Sequence, residues 1–293
     1  MGDRVGIGWR PELAAGILAH LDEIDVVEVI IEDYIDAPKK TLQALRYLSE
    51  QVPVIYHGVT LGVASSHPVD ERRLARVART LEALKVESWS EHLAFVRAGG
   101  IEIGHLAAAP RSVATIEGTL SNVRRLQQLT GLMPTLENIA TLVEPPGSTM
   151  SEPEWVGTIV SETRAELLLD LHNLLCNAHN AALDPQRYLL DFPLERATHV
   201  HLGGGHWIPE PRRHAIVPGA LRLLDDHLHP VPPEVFSLLS VLASRAERPL
   251  TVIIERDGRY PPFANLLSEI RLGRAALARE RSVPTEGDLH ECD

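Results

Sequence analysis

Leu167-Leu168-Leu169-Asp170-Leu171-His172-Asn173 is an apolar run that ends abruptly in carboxylate, imidazole and amide. A strand of this kind is buried on both faces and delivers polar groups to one edge of a sheet. The same event recurs along the chain. Val54-Ile55-Tyr56 runs into His57, Met133-Pro134-Thr135-Leu136 into Glu137, Thr198-His199-Val200 into His201, and Val252-Ile253-Ile254 into Glu255. Strands that repeatedly end in metal-ligand residue types imply one site assembled from all of them.

Working outward, the pattern predicts strands over 4–9, 25–31, 52–57, 86–92, 133–137, 166–170, 199–203 and 250–255. Helices are expected over 39–50, 70–84, 111–129, 151–162, 234–246 and 262–278, with Ser151 and Glu154 spaced as a capping box. Strand and helix thus alternate eight times, which favours a closed (β/α)8 TIM barrel of about 250 residues over an open doubly wound sheet. Neither a GxGxxG nor a P-loop stretch competes, because Gly203-Gly204-Gly205-His206 follows a strand but lacks the fingerprint. The expected organisation is one barrel domain over 1–280, a long insertion after the seventh strand, and a flexible C-terminal tail over 281–293.

The 293 residues carry 44% apolar side chains but only 4% aromatics, so the core should rest on Leu, Val, Ile and Ala. A net charge of −12 without a Lys/Arg stripe argues against nucleic acid as a partner. The two cysteines, Cys176 and Cys292, supply neither a disulfide framework nor a CxxC knuckle, which suits a reducing cytoplasm. No signal peptide and no apolar run of about 18 residues point to export or a membrane.

In a barrel, the carboxyl ends of the strands converge on one mouth. The candidates there are His57, His92, Glu137, Asp170, His172, His201, His206 and Glu255, with Asp225 and His227 supplied by the insertion. Imidazole and carboxylate without thiolate suits iron, manganese or zinc. Crowding Glu137, Asp170, Asp225 and Glu255 without cations would be very costly. The set is too large for one ion and fits two or three, with Glu137 or Asp170 placed to bridge. Taken singly, each residue has a plainer reading. Asp170 or Glu255 could cap a helix, and Asp225-Asp226-His227-Leu228-His229 could be a solvated loop. His67, His105, His214 and His290 read as ordinary polar residues, and Cys176 as a small apolar filler.

Several stretches carry a resemblance. They are Gly6-Ile7-Gly8-Trp9-Arg10, Glu28 with Glu32-Asp33-Tyr34, Tyr56 to Gly62, and Ser90-Glu91-His92-Leu93-Ala94-Phe95. Further on come Leu136-Glu137-Asn138, Asp170 to Asn173 with Asn177 to Asn180, His201 to His206, Asp225 to Val231, and Ile254-Glu255-Arg256-Asp257. Together they resemble the multinuclear non-heme iron-dependent oxidative enzymes of peptide natural-product biosynthesis, typified by the methanobactin-forming enzyme. Departures from that pattern are Glu91 for Asp, His172 for the common Asn, one extra residue in the glycine stretch, Arg256 for Trp, and the long connection from Trp207 to Leu224.

The resemblance implies a xylose-isomerase-like barrel holding two or three iron ions in mixed Fe(II)/Fe(III) valence, with O2 as co-substrate. Carried over, the ligands are His57, His92, Glu137, Asp170, Asp225, His227 and Glu255. One histidine of the His201–His206 stretch completes them, and His172 is open to a third iron. Asp170, His172, Asn173 and Asn138 are the implied catalytic and positioning groups, Asn180 another positioning group, and Arg10 is placed to steer a carboxylate. The implied reaction oxidises a residue, commonly cysteine, in a ribosomally synthesised precursor peptide whose leader is gripped by a separate partner protein. Two other classes compete. One is a redox-silent divalent-metal barrel acting as a sugar isomerase, epimerase or phosphodiesterase. It would want a lysine or histidine pair for proton transfer, and Lys39, Lys40 and Lys85 fall at no strand end. The other is a metal-storing or peptide-binding protein without turnover.

Overall fold

The computed structural model describes residues 2–86, 88–98, 101–210 and 221–281. His214, His290, Cys292 and the tail beyond residue 281 lie outside the described residues. Eight parallel strands close a barrel: β1 (Arg4–Gly8), β2 (Val27–Ile30), β3 (Val54–Gly58), β4 (Trp89–His92), β7 (Thr135–Glu137), β8 (Leu167–Asp170), β9 (Ala197–Leu202) and β12 (Thr251–Ile254). The eight expected strands are these eight, with bounds shifted by one to three residues. Two antiparallel hairpins stand apart from the barrel: β5 (Phe95–Ala98) with β6 (Ile101–Ala107), and β10 (Gly205–Pro209) with β11 (Leu221–Asp225). Both fall where loops were expected, after the fourth and seventh barrel strands.

The helices are α1 (Ala14–Ala19), α2 (Lys39–Ser49), α3 (Glu71–Leu84), α4 (Val113–Thr130), α5 (Glu152–Thr163), α6 (Leu171–Asn180), α7 (Pro185–Leu190), α8 (Pro233–Ala243) and α9 (Phe263–Arg281). Their starts are written in side chains. Asp70 accepts from Arg73 N at 2.9 Å, and Ser151 with Glu154 forms the expected capping box. The expected helices did not include α6 and α7, although Asp170 was weighed as a helix cap, and it is the N-cap of α6. No helix among the described residues is long and apolar enough to cross a membrane.

Register decides what the barrel encloses. Ile30 pairs with His57, His57 with Ser90, His92 with Glu137, Asp170 with His201, and His201 with Ile253. Registered partners share a face and strand side chains alternate. Val26, Glu28, Ile55, His57, Ser90, His92, Glu137, Asp170, His201, Ile253 and Glu255 therefore share the inward face. Val26, Ile55 and Ile253 form an apolar cluster separate from the main core. The polar residues lie one layer nearer the strands' carboxyl ends. The outward residues Val27, Val29, Leu167 and Leu169 join the large core beneath the helices.

Candidate metal centre

The inward layer brings His57, His92 and Glu137 into one group and Glu137, Asp170, His201 and Glu255 into another, each with donor atoms within 4.8 Å of one another. Glu137 belongs to both. Its Oε2 lies 3.2 Å from Nε2 of His57 and 3.2 Å from Nε2 of His92, while its Oε1 lies 3.2 Å from Nδ1 of His201. Glu255 Oε2 stands 3.1 Å from the same Nδ1. Beside them, Asp225 Oδ1 is 2.5 Å from His172 Nδ1 and 3.1 Å from His227 Nε2.

Apart from the His172–Asp225 hydrogen bond, these contacts leave inward atoms unsatisfied. Glu137 Oε2, Asp170 Oδ2, His201 Nδ1, His227 Nε2 and Glu255 Oε2 are buried without a hydrogen-bond partner among the described residues. Orphaned buried polar atoms are rare and costly. Adjacent ligands about 2.1 Å from one cation stand about 3 Å apart, the spacing observed here. The far nitrogen of each ring is tied down. His57 Nδ1 meets Ser90 Oγ at 2.7 Å, His92 Nδ1 meets Gly58 O at 3.1 Å, His201 Nε2 meets Glu28 Oε1 at 3.0 Å, and His227 Nδ1 meets Asp257 Oδ2 at 3.1 Å. Such outer partners fix which nitrogen faces a metal. By donor chemistry and orphaned atoms, His57, His92 and Glu137 fit one metal-binding group and Glu137, Asp170, His201 and Glu255 another.

Electrostatics agree. Burial, then Asp225 and Glu137, push the Asp170 carboxyl well above its ordinary range. Burial, then His92 and His201, hold His57 well below the usual imidazole value, in the neutral form that ligates metals. Burial works against a charged His201, but Glu255, Glu28 and Glu137 outweigh it and raise its pKa well above normal. Burial likewise opposes the ionised Asp225, yet His172 and His227 draw it down to about 2.

The remaining candidates separate. His206 is not with the central group: its Nδ1 lies 2.7 Å from Asp226 Oδ2, and His229 Nδ1 lies 3.0 Å from Asp226 Oδ1. Asn138 spends both ends of its amide on the backbone of Asp170, accepting from its N at 2.8 Å and donating to its O at 3.0 Å. Asn173 donates to Asn138 O at 3.2 Å and leaves Oδ1 buried without a hydrogen bond. Arg10 is held by Asp257 and the Trp9 carbonyl, so its guanidinium already has partners. Cys176 is buried, its Sγ 3.8 Å from His172 Nδ1, and burial pushes its thiol pKa up. Reading by strand ends missed Ser90, Glu28 and Asp257. The signal for Glu28 was a carboxylate inside the β-branched run of β2, an expensive placement without a partner.

A cleft of about 450 Å3 opens onto His92, Asn173, Asp225 and His227 from between the β5–β6 hairpin and the loop after β7. Comparison with known proteins places the whole arrangement. The family model for the RiPP precursor modification enzymes MbnB/TglH/ChrH matches residues 4–278. The chain belongs to that family. Among its relatives, a UPF0276 protein of Streptomyces avermitilis is 36% identical over 94% of this chain and 55% of its own length, so this chain spans about half of that relative. A UPF0276 protein of Bordetella pertussis is 30% identical over 94% of this chain and 93% of its own length. The family fold is shared with distant solved structures. A xylose isomerase domain protein from Planctomyces limnophilus matches with TM-score 0.61 at 10% identity, covering 97% of this chain and 100% of that one. D-psicose 3-epimerase from Clostridium cellulolyticum H10 matches with TM-score 0.56 at 12% identity, covering 95% and 98%. The architecture is therefore a xylose-isomerase-like TIM barrel.

Proposed function

We propose that the chain is a multinuclear non-heme iron enzyme that uses O2 to oxidise a residue, cysteine in the commonest case, of a ribosomally synthesised precursor peptide. One observation carries the reading: Glu137 turns Oε2 toward His57 and His92 and Oε1 toward His201, while Glu137 Oε2, Asp170 Oδ2, His201 Nδ1 and Glu255 Oε2 are buried without a hydrogen bond among the described residues. His57, His92 and Glu137 would hold one ion, and Glu137, Asp170, His201 and Glu255 a second. Asp225 and His227, with His172, would hold a third. Iron bound there would supply one-electron redox chemistry and O2 activation.

The chain's own residues do the positioning. Asn173 N clamps Asp170 Oδ1 at 2.6 Å and leaves Oδ2 directed inward. Glu28, Ser90, Gly58 and Asp257 hold the rings so that the inner nitrogens need no reorganisation. Asn173 lines the cleft, while its Oδ1 is buried without a hydrogen-bond partner among the described residues. The acidic chain would suit a basic leader presented by a separate partner protein.

The competing reading, a redox-silent Mn or Zn barrel acting on a sugar or phosphodiester, shares its fold with the epimerases. It lacks a lysine for proton transfer at the mouth, since Lys39 and Lys40 are exposed at the start of α2 and Lys85 follows α3. Anaerobic purification with metal analysis and Mössbauer spectroscopy, followed by O2 and a cysteine peptide, separates the two. Two or more irons per chain with a mixed-valent signal is the expected result. One Zn or Mn per chain with no O2 uptake would end the iron reading.

A further inference from the structure

The walls of the cleft say what kind of chain would enter it. They are built from two runs of consecutive residues, 105–108 on and just beyond β6 and 139–146 after β7. Phe95, Leu106, Ile139, Leu142, Val143 and Pro145 are among the residues that line the cleft. Of the polar lining, Glu144 is already paired with Arg111. A sugar carries a hydroxyl on nearly every carbon, and walls like these would strip those hydroxyls of water without replacing it. Apolar side chains gain there, at about 25 cal/mol per Å2 buried.

Large apolar residues are also left in solvent on elements that follow the carboxyl ends of barrel strands. Ile101 on β6 is 72% exposed, Val143 in the loop after β7 69%, and Leu221 on β11 55%. Of these, Val143 lines the cleft itself, where an apolar side chain left in water gains by being covered. The two hairpins differ at their edges. Leu223 on β11 donates to Asn180 Oδ1 at 2.9 Å and accepts from its Nδ2 at 3.0 Å, the pair of bonds a neighbouring strand would make. β6 is covered only in part: it registers with β5 at Ala107, Glu102 and Ile101, residues 103–106 bulge opposite Val96, Leu106 N donates to His105 Nδ1 at 2.8 Å, and among the described residues no strand lies along its other edge. Open edges are normally blocked unless a peptide is to add there.

We propose that the cleft takes an extended peptide whose residues on either side of the modified one are apolar, its backbone running along the open edge of β6. This rests on the reading of the substrate as a peptide and adds which sequence around the modified residue is selected. The occupant is committed by continuity: the groove ends on His92, Asp225 and His227.

The test uses the full chain under anaerobic conditions and fluorescein-labelled heptapeptides, Gly-Leu-Leu-Cys-Leu-Leu-Gly and Gly-Gln-Gln-Cys-Gln-Gln-Gly. Glutamine is chosen because an acidic probe would be repelled by a chain of net charge −12 whatever its walls. Anisotropy should show the leucine probe binding at least about tenfold more tightly. Val143→Asp, at an exposed position that does not hold the fold, should remove most of that preference. N-methylation of alternate amides in the leucine probe should weaken it to a similar degree. Equal or absent binding of the two probes, or an unchanged preference in Val143→Asp, would overturn the proposal. So would a Val143→Asp variant whose only change is loss of self-association in light scattering, which would assign the patch to a second copy. Serine in place of the probe cysteine separates this from the oxidative reading. If both bind alike and O2 leaves the cysteine probe unaltered while the leucine preference holds, only the oxidative reading falls. Oxidation without any leucine preference removes this inference alone.

Discussion

The carboxylate of Glu28 on β2 reaches across the barrel interior to His201 on β9, with Oε1 3.0 Å from Nε2. That contact leaves Nδ1 of His201 facing Glu137 and Glu255. An anionic partner behind a ring raises the basicity of the nitrogen in front of it. Glu28→Gln keeps the shape and removes the charge, so Fe(II) affinity should fall about tenfold, and further in Glu28→Ala, within the 10–100-fold range for such partners. Competition against a chromogenic chelator under anaerobic conditions reads this directly. Unchanged affinity in both variants would detach Glu28 from the centre.

The barrel and most of its centre were legible because continuous apolar runs and their polar ends are local signals. Leu167-Leu168-Leu169 into Asp170 announces a buried parallel strand and its polar exit in one stretch. What could not be read was three-dimensional. His201 and His206 look equivalent in sequence, but His201 ends up inward in register with Asp170 and Ile253, while His206 begins a separate hairpin and turns to Asp226. The hairpins were passed over for a different reason. Gly99-Gly100 between Phe95–Ala98 and Ile101–Ala107 is a hairpin turn signal that a reading by strand ends does not use, and Leu221-Arg222-Leu223 is a short segment whose partner lies across a long connection. Asp257 lies two residues past the last strand-end ligand, and only folding reveals that it backs His227.

The glycines after β9 make room for two rings and one backbone. A Cβ on Gly203 would lie 2.6 Å from Cδ2 of His227, and one on Gly204 would lie 2.3 Å from the Pro230 carbonyl oxygen. A side chain can swing away; backbone cannot. Gly203→Ala should therefore displace His227, lowering metal content at the position beside Asp225 with little change in thermal stability. Gly204→Ala should cost about 1–3 kcal/mol as an overpacked site does. Metal analysis together with thermal melts distinguishes them, and equal loss of stability in both would contradict the assignment.

Glu152, remote from the centre, tests the electrostatics of the scaffold. It is buried at the start of α5, accepting from Tyr188 Oη at 2.5 Å and Asn177 Nδ2 at 2.9 Å. Burial nonetheless pushes its pKa above the ordinary value against both hydrogen bonds. The native state then binds this proton more tightly than the unfolded chain. Stability from this group is fully present below the unfolded value of 4.5 and declines as pH rises through the raised folded value. Glu152→Gln, whose carbonyl can keep both acceptor contacts, should flatten that decline and be no less stable at pH 7. Denaturant titrations across pH would show it, and an unchanged pH slope would refute it.

Asp170 divides two tasks between its oxygens, and metal should reverse the sign of its contribution. Oδ1 accepts from Asn173 N at 2.6 Å and caps α6, while Oδ2, without a hydrogen bond, joins Glu137, His201 and Glu255. Asp170→Asn retains a carbonyl for the cap and removes one charge from the crowded layer. In the presence of chelator, relief of repulsion from Asp225 and Glu137 should let the variant melt at or above the wild type. With Fe(II) added anaerobically the order should invert, because a ligand that binds only the native state stabilises by RT ln(1 + [L]/Kd) and the variant binds less tightly. Asp170→Ala also loses the cap, worth about 1 kcal/mol, and should melt below Asp170→Asn under both conditions. If Asp170→Asn with chelator melts well below the wild type and its iron content per chain is unchanged, Asp170 is a helix cap and no ligand. Glu137 would then have to complete the second position with His201 and Glu255 alone.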